Sequence, residues 1–352
     1  MPAGTALKIN RRPYALKAGA GIANVPKDRE RNCSIARTVT ILSDPWSFLV
    51  IREAFFGARR FESFRSALGL PRGTLTERLK RLTRHGIFRR VRYSLESSRV
   101  EYRLTQAGLE LYPGFMAMMR FGDRWLCEKK TPPVKLIHKL CDCECQPFVA
   151  CSNCLEEVSA RRVSYRNGPG AGFSAEQPMR RARRSSDPLQ FMRGRPSSVS
   201  STLQIIGDRW SCLVIREAFL GARRFERLQT ELNIASNILT DRLARLVRIG
   251  IFERRKYQEQ PNRFEYRLTD MGMDIYGAII MMMSWGDRWL SQEGPPLILT
   301  HRDCSKDFTP MVVCSHCRKL IEAYAMSYRM NYRPGDFGAP AVSDRDAAIK
   351  SK

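Results

Sequence analysis

The sequence predicts a mainly α fold with small β-wings (α+β): two tandem winged helix-turn-helix domains, each followed by a small zinc-binding, ribbon-like unit. Three observations carry that expectation. The stretch Asp44 to Leu126 recurs as Asp208 to Leu290, without a gap and with more than half of the positions identical. A repeat of this length is a duplicated domain, well beyond a solenoid unit. Inside each copy a short helix, a turn and a longer helix precede a basic hairpin. After each copy the same His-x2-Cys-x9-Cys-x2-Cys spacing returns.

The elements of the first copy follow from pattern and turn chemistry. Ser34 to Leu42 sets Ile35, Val39 and Leu42 at helical spacing. Asp44 caps a second helix, Pro45 lies in its first turn and Gly57 ends it. A short helix from about Arg60 to Ala67, a turn at Gly69 and a longer helix from Arg72 to about Arg84 make the helix-turn-helix. Leu75, Leu79 and Leu82 face the core, which leaves Arg72, Gly73, Thr76 and Lys80 roughly opposite. Strands Ile87 to Tyr93 and Arg99 to Leu104, joined by a polar turn at Glu96 to Ser98, form a basic wing. Thr105 caps a last helix running to Leu126, kinked at Pro113. In the second copy Asp208 is the cap, Ser236 to Ile249 the recognition helix, and Ile251 to Tyr257 with Arg263 to Leu268 the wing. The methionine-rich final helices read as core and inter-domain packing.

The resulting division is a flexible basic tail (1–30), winged domain 1 (31–131), zinc unit 1 (132–165), a basic flexible linker (166–196), winged domain 2 (197–294), zinc unit 2 (295–330) and a C-terminal tail (331–352). The linker is rich in Gly, Pro, Ser and Arg and contains MRRARRSSD. The net charge of +25 calls for a polyanionic partner, which the phosphates of nucleic acid supply. Charged residues interrupt every N-terminal apolar run, and the most lipid-like stretch, Ile275 to Met283, is too short to span a bilayer. The expectation is a cytoplasmic protein with no membrane partner.

Eleven cysteines in a basic chain without a secretory signal point to reduced thiols or metal. The repeated spacing groups His138, Cys141, Cys151 and Cys154 in the first unit, and His301, Cys304, Cys314 and Cys317 in the second. Three thiolates and an imidazole are the ligands of a closed tetrahedral structural zinc site, so two zinc ions are expected. His316 is an alternative ligand, but the first unit has Asn153 at its place. Cys143 and Cys145 have no counterparts in the second unit, which carries Lys306 and Phe308. They are either tolerated thiols or competitors for metal that make the first site oxidation-sensitive. Four histidines, two of them assigned to metal, leave no nucleophile–base pair, and an enzyme is not expected.

Several ordered blocks carry a family resemblance: Asp-x-Trp followed by LVIREAFLGARRFERL, then LTDRLARLVRIGIFERRKY, FEYRLTDMG and WGDRWL, with LTERLKRLTRHGIFRRVRY and VEYRLTQAG in the first copy. Over roughly residues 33–130 and 197–293 the chain resembles the HxlR-type winged-helix (MarR-like) transcriptional regulators of bacteria. The resemblance implies binding to a double-stranded DNA operator and dimerisation through terminal helices. In a tandem chain that dimer is either an intramolecular pseudo-dimer or a homodimer. Cys33 stands where some members of that family carry a sensing thiol, although the residues favour an inert, half-buried cysteine; an effector, small-molecule or redox, would act in a pocket between the terminal helices.

The two recognition helices keep their inward leucines, Thr76 with Thr240 and Arg78 with Arg242, yet differ outward: Arg72 against Ser236, Gly73 against Asn237, Thr74 against Ile238, Lys80 against Ala244. Unlike half-sites follow as the expectation, with Arg72 reading guanine, Asn237 adenine, and Thr76 and Thr240 phosphate or base. Arg78 and Arg242 either touch DNA or point back to the preceding helix. Arg89, Arg90, Arg92 and Arg99 in one wing, and Arg254, Arg255, Lys256 and Arg263 in the other, would supply sequence-blind phosphate affinity. Two rival readings are a redox switch working through Cys33 or the first zinc unit, and a zinc-dependent protein-assembly module.

Overall fold

A computed structural model of the chain describes residues 29–42, 45–92, 99–127, 131–175 and 196–333. A short strand, Arg29–Arg31 (β1), leads into helices Ser34–Leu42 (α1), Pro45–Phe55 (α2), Phe61–Leu68 (α3) and Arg72–Arg84 (α4). The wing follows as Phe88–Arg92 (β2) paired antiparallel with Val100–Leu104 (β3). Then come Gln106–Leu109 (α5) and Tyr112–Trp125 (α6). Gly69, at the end of α3, has φ +61°, the left-handed conformation that lets the chain turn at once into α4. Leu75, Leu79 and Leu82 are fully buried, which fixes the rotation of α4 and with it the face shown to solvent.

The first unit after the domain contains Val134–His138 (β4), Cys143–Cys145 (β5), Phe148–Cys151 (β6) and Val163–Asn167 (β7), and Phe173–Ala175 (β8) follows. The second half repeats the plan with Ser198–Ile206 (α7), Arg209–Phe219 (α8), Phe225–Leu232 (α9), Ser236–Ile249 (α10), Phe252–Gln258 (β9), Arg263–Leu268 (β10), Asp270–Asp274 (α11) and Tyr276–Leu290 (α12). It closes with Leu297–His301 (β11), Lys306–Asp307 (β12), Pro310–Val313 (β13) and Met326–Met330 (β14).

Three sequence-based expectations need correction. The terminal helix of each winged domain is two helices, and Pro113 sits in the first turn of α6, where its missing N–H costs no bond. The proline does not cause the break, because α11 and α12 break at the matching place with Gly277 there. The supposed linker is structured at its start: β7 runs to Asn167, and β8 pairs with β1, the end of the supposed N-terminal tail. Asn331, assigned to the C-terminal tail, donates its backbone N–H to Pro133 O at 2.9 Å. Asp44, Tyr93, the Glu96 to Ser98 turn, the MRRARRSSD segment and the rest of both tails lie outside the described residues.

The two halves pack through exchanged helices. The first helix of each winged domain lies on the last helix of the other, α1 on α12 and α7 on α6, while α6 and α12 also touch. Met116, Met118, Met119, Met281, Met282 and Met283 are buried along this seam, each contributing about 1.5–3 kcal/mol by leaving water. Polar contacts repeat with the same symmetry. Ser34 Oγ donates to Asp287 Oδ1 at 2.5 Å, and Ser198 Oγ donates to Asp123. Thr38 and Thr202 reach across to the carbonyls of Met282 and Met118 at 3.1 and 2.7 Å. Trp125 Nε1 donates to Asp274 at 2.7 Å, and Trp289 Nε1 to Glu110 at 2.9 Å. Gly122 and Gly286 permit the close approach, since a Cβ there would lie 2.3 Å from Ser198 O and 2.5 Å from Ser34 O.

The units beyond the winged domains are exchanged as well. β14 of the second unit pairs with β4 of the first, β7 of the first pairs with β11 of the second, and β6 pairs with β13. They form one strand-swapped body instead of two independent ribbons.

Candidate nucleic-acid interface and metal centres

On α4, Arg72, Gly73, Thr76 and Lys80 are exposed and Thr74 is half-buried; on α10, Ser236, Asn237 and Thr240 are exposed. The structure thus presents these expected contact residues together on the open face of each helix. Thr76 and Thr240 donate their hydroxyls back to the carbonyls of Arg72 and Ser236 at 2.8 and 2.9 Å, which leaves their oxygens as acceptors. Arg72 lies over the Phe61 ring at 5.5 Å and 3.4 Å from Glu62, a weak exposed pairing that a stronger anion can displace.

Arg242 behaves differently. Its Nε donates to Asp208 Oδ1 at 3.2 Å, while Asp208 accepts the N–H groups of Trp210 and Ser211 as the cap of α8. The guanidinium therefore ties the recognition helix to the helix beneath it. Arg78 is similarly sunk, with a side chain 18% exposed and an ion pair to Glu77 at 3.0 Å.

In the wings Arg89, Arg90, Arg92, Arg99, Arg254, Arg255, Lys256 and Arg263 are all exposed. Arg254 stacks 3.5 Å from the Phe264 centroid, and Arg255 pairs with Glu253 at 2.6 Å, so two of the second wing's cations have partners within the wing.

The eight expected metal ligands come together in two clusters, but not within each unit as the spacing suggested. His138 and Cys141 meet Cys314 and Cys317, while His301 and Cys304 meet Cys151 and Cys154. Strand exchange is the cause: β4–β14 and β6–β13 pairing brings the first ligand pair of one unit to the second pair of the other. In the first cluster Cys141 Sγ lies 3.9 Å from Cys314 Sγ, and His138 Nδ1 lies 3.2 Å from Cys317 Sγ and 3.6 Å from Cys141 Sγ. In the second, Cys151 and Cys304 sulfurs are 3.9 Å apart, and His301 Nδ1 is 3.3 Å from Cys154 and 3.7 Å from Cys304. A tetrahedron with Zn–S bonds of about 2.3 Å has S···S edges of roughly 3.8 Å, so both donor sets fit such an ion. A disulfide needs sulfurs about 2.05 Å apart, and these thiols are free.

The surroundings favour the thiolate at Cys151 and Cys314 but oppose it at Cys141, which burial pushes up to about 11, and at Cys154, which burial and neighbouring sulfurs push up. Burial pushes the Cys151 and Cys314 thiols up, but backbone N–H groups outweigh it and hold both below the ordinary thiol range. Asn153 N–H and His316 N–H each lie 3.4 Å from those sulfurs. His301 Nε2 lies 3.6 Å from Asp303, outside hydrogen-bonding distance, and is a buried nitrogen with no hydrogen-bond partner. Cys143 donates its thiol to Cys141 O at 3.2 Å, and Cys145 is buried.

Sequence reasoning missed the polar seam, although Ser34, Ser198, Thr38 and Thr202 are identical between copies on apolar helix faces. It also missed a cavity of about 240 Å³ at the domain border, whose lining includes Arg31, Asn32, Cys33, Arg216 and Asp287. Cys33 sits there as the cap of α1, its sulfur accepting the Ala36 N–H at 3.4 Å. Buried Arg216 pairs with Glu217 at 2.5 Å. No helix among the described residues is long and apolar enough to cross a membrane.

The HTH-type transcriptional regulators Rv3095 of Mycobacterium tuberculosis and Mb3122 of Mycobacterium bovis are each 44% identical over 127 residues, 36% of this chain and 80% of theirs. The HTH-type transcriptional regulator sll1512 of Synechocystis is 44% identical over 95 residues, 27% of this chain and 70% of its own. A solved Pseudomonas aeruginosa structure, PA1374, is 36% identical, covering 30% of this chain and 73% of that one, with a TM-score of 0.25. Residues 41–130 and 205–294 both match the HxlR-like helix-turn-helix family, and the chain belongs to that family of transcriptional regulators.

Proposed function

We propose that the chain is a sequence-specific DNA-binding regulator that reads an asymmetric operator as a single-chain pseudo-dimer, with two structural zinc ions stapling its halves. The observation that carries this reading is the contrast between α4 and α10. Their buried leucines are the same and their exposed faces are not, so two helices held at equivalent places in the fold offer different chemistry to a groove. Arg72 suits the paired acceptors of guanine, and Asn237 suits adenine. The wing arginines supply phosphate affinity that is blind to sequence. Each Cys3His set has four protein ligands and is closed, which fits a structural ion and leaves no position for substrate water.

Selection of bound fragments from a random double-stranded DNA pool by the purified chain tests the reading. Two unlike half-sites about 10 base pairs apart are expected. A symmetric or four-part site would mean that whole chains pair, and survivors with no shared sequence would sink the sequence-specific reading in favour of a protein-assembly role.

A redox role for Cys33 has one supporting observation, its thiol at the start of α1 beside the domain-border cavity. Loss of operator binding on mild oxidation in the native chain but not in Cys33→Ser would support it. The same cavity is the reading's candidate for a small effector.

A further inference from the structure

Around the first metal cluster the chain holds donors that the four-ligand set does not use. Cys141 Sγ, Cys143 Sγ and an imidazole nitrogen of His316 lie within 4.8 Å of one another. Cys141 already belongs to the group with His138, Cys314 and Cys317, so the two sets share one sulfur. Cys143 is half-buried and His316 is exposed. They come from opposite halves of the chain: Cys143 opens β5, and His316 stands between the two cysteines of the second unit. The His316 backbone is held in place by its own N–H bond to Cys314 Sγ.

The second cluster is an internal control. It stands on the same strand-swapped scaffold with the same four ligand types, but Lys306 replaces Cys143 and Asn153 replaces His316. The Asn153 amide is occupied in a bond to Asp307 O at 2.8 Å. The scaffold therefore assembles a complete Cys3His set without the extra thiol and imidazole, and packing does not require them.

We propose that Cys141, Cys143 and His316 form an accessory metal position beside the first Cys3His site, with the Cys141 thiolate as bridge, for a soft ion such as Cu(I), Cd(II) or an additional Zn(II). Two sulfurs and one imidazole are a soft donor set. Three protein ligands, one of them exposed, leave a coordination position open to solvent, so this ion exchanges where the closed sites do not. Binding deprotonates the Cys143 thiol and releases one proton to solvent, while Cys141 is already a thiolate in the neighbouring site. The inference rests on the two-zinc reading, because it borrows Cys141 from it.

The test is to saturate the reduced, full-length protein with Cd(II) without oxygen, remove free ion by gel filtration, and count cadmium per chain by elemental analysis alongside cadmium NMR. Three ions per chain are expected, the third with two sulfurs and one nitrogen around it. Cys143→Ser and His316→Asn should each reduce the count to two and leave both Cys3His signals in place. A native count of two, or a third ion that survives both substitutions, overturns the accessory position while the two-zinc reading stands. A native count below two overturns that reading as well.

Discussion

Arg78 and Arg242 stand at matching places in α4 and α10, and their sunken side chains separate them from the arginines that face solvent. Arg72→Ala is expected to relax base preference at one operator position, about 1–3 kcal/mol of discrimination, as read by binding to single-base operator variants. Arg242→Ala instead removes the link to the Asp208 cap, and should lower stability by at most about 1 kcal/mol with base preference unchanged. A uniform loss across all sequences from Arg72→Ala would remove it from the list of base-reading residues. Asp123 and Asp287 are the other informative residues. Burial pushes each carboxyl up to about 6, against the opposing pull of the Ser198 hydroxyl on Asp123, and of Ser34 and Arg37 on Asp287. A carboxyl raised in the folded state binds its proton more tightly there than in the unfolded chain. Its contribution is therefore fully present below the unfolded value of 3.8 and is lost as pH rises through about 6. The double variant Asp123→Asn, Asp287→Asn should gain stability relative to the native chain at pH 7.5 but not at pH 4, measured as the difference in Tm. An equal Tm difference at both pH values would show that these carboxyls do not titrate as a pair of buried groups.

At the scale of elements, the crossings of α1 with α12 and of α6 with α7 depend on glycine. A Cβ on Gly286 would meet Ser34 O and Thr38 Oγ1, both at 2.5 Å, and backbone cannot step aside as a flexible side chain can. Gly286→Ala is expected to cost about 1–3 kcal/mol by overpacking, seen as a fall in denaturation midpoint. An unchanged midpoint would mean that the crossing relaxes freely. The wings belong to this scale too. Replacing one exposed wing arginine, such as Arg90, should weaken binding to all sequences alike and reduce the salt slope by about 0.9 for a lost phosphate contact. Much of the element structure was legible in the sequence, because heptad-like leucines in α4 and α10 and glycine at the turns act locally. The break between α5 and α6 was not, since proline in a first turn and proline in a helix interior look the same until the helix start is known.

For the whole molecule, the decisive feature is the exchange of His/Cys pairs between the two units that follow the winged domains. It yields a prediction that separates the observed grouping from one confined to each unit. Cys141→Ser with Cys314→Ser strikes one cluster twice and should leave one zinc per chain, whereas Cys141→Ser with Cys151→Ser strikes both clusters and should leave none. The opposite pattern, by elemental analysis of the purified variants, would mean that each unit folds alone. Stripping zinc with a chelator should loosen the contact between the halves as well as the units themselves, since each set of ligands draws on both. The sequence by itself determined the duplication, the winged helix-turn-helix, the open face of α4 and α10, and the eight histidines and cysteines that cluster, because periodicity, turn residues and ligand spacing are local properties of the chain. Tertiary structure alone decided which histidines and cysteines come together, how the terminal helices cross, and that β1 and β8 fasten the ends of the first half together. Those outcomes turn on pairing between strands and helices far apart in sequence, and a repeat offers every element two equivalent partners, its own and its copy's. Spacing is satisfied by either choice; only the packed arrangement selects one.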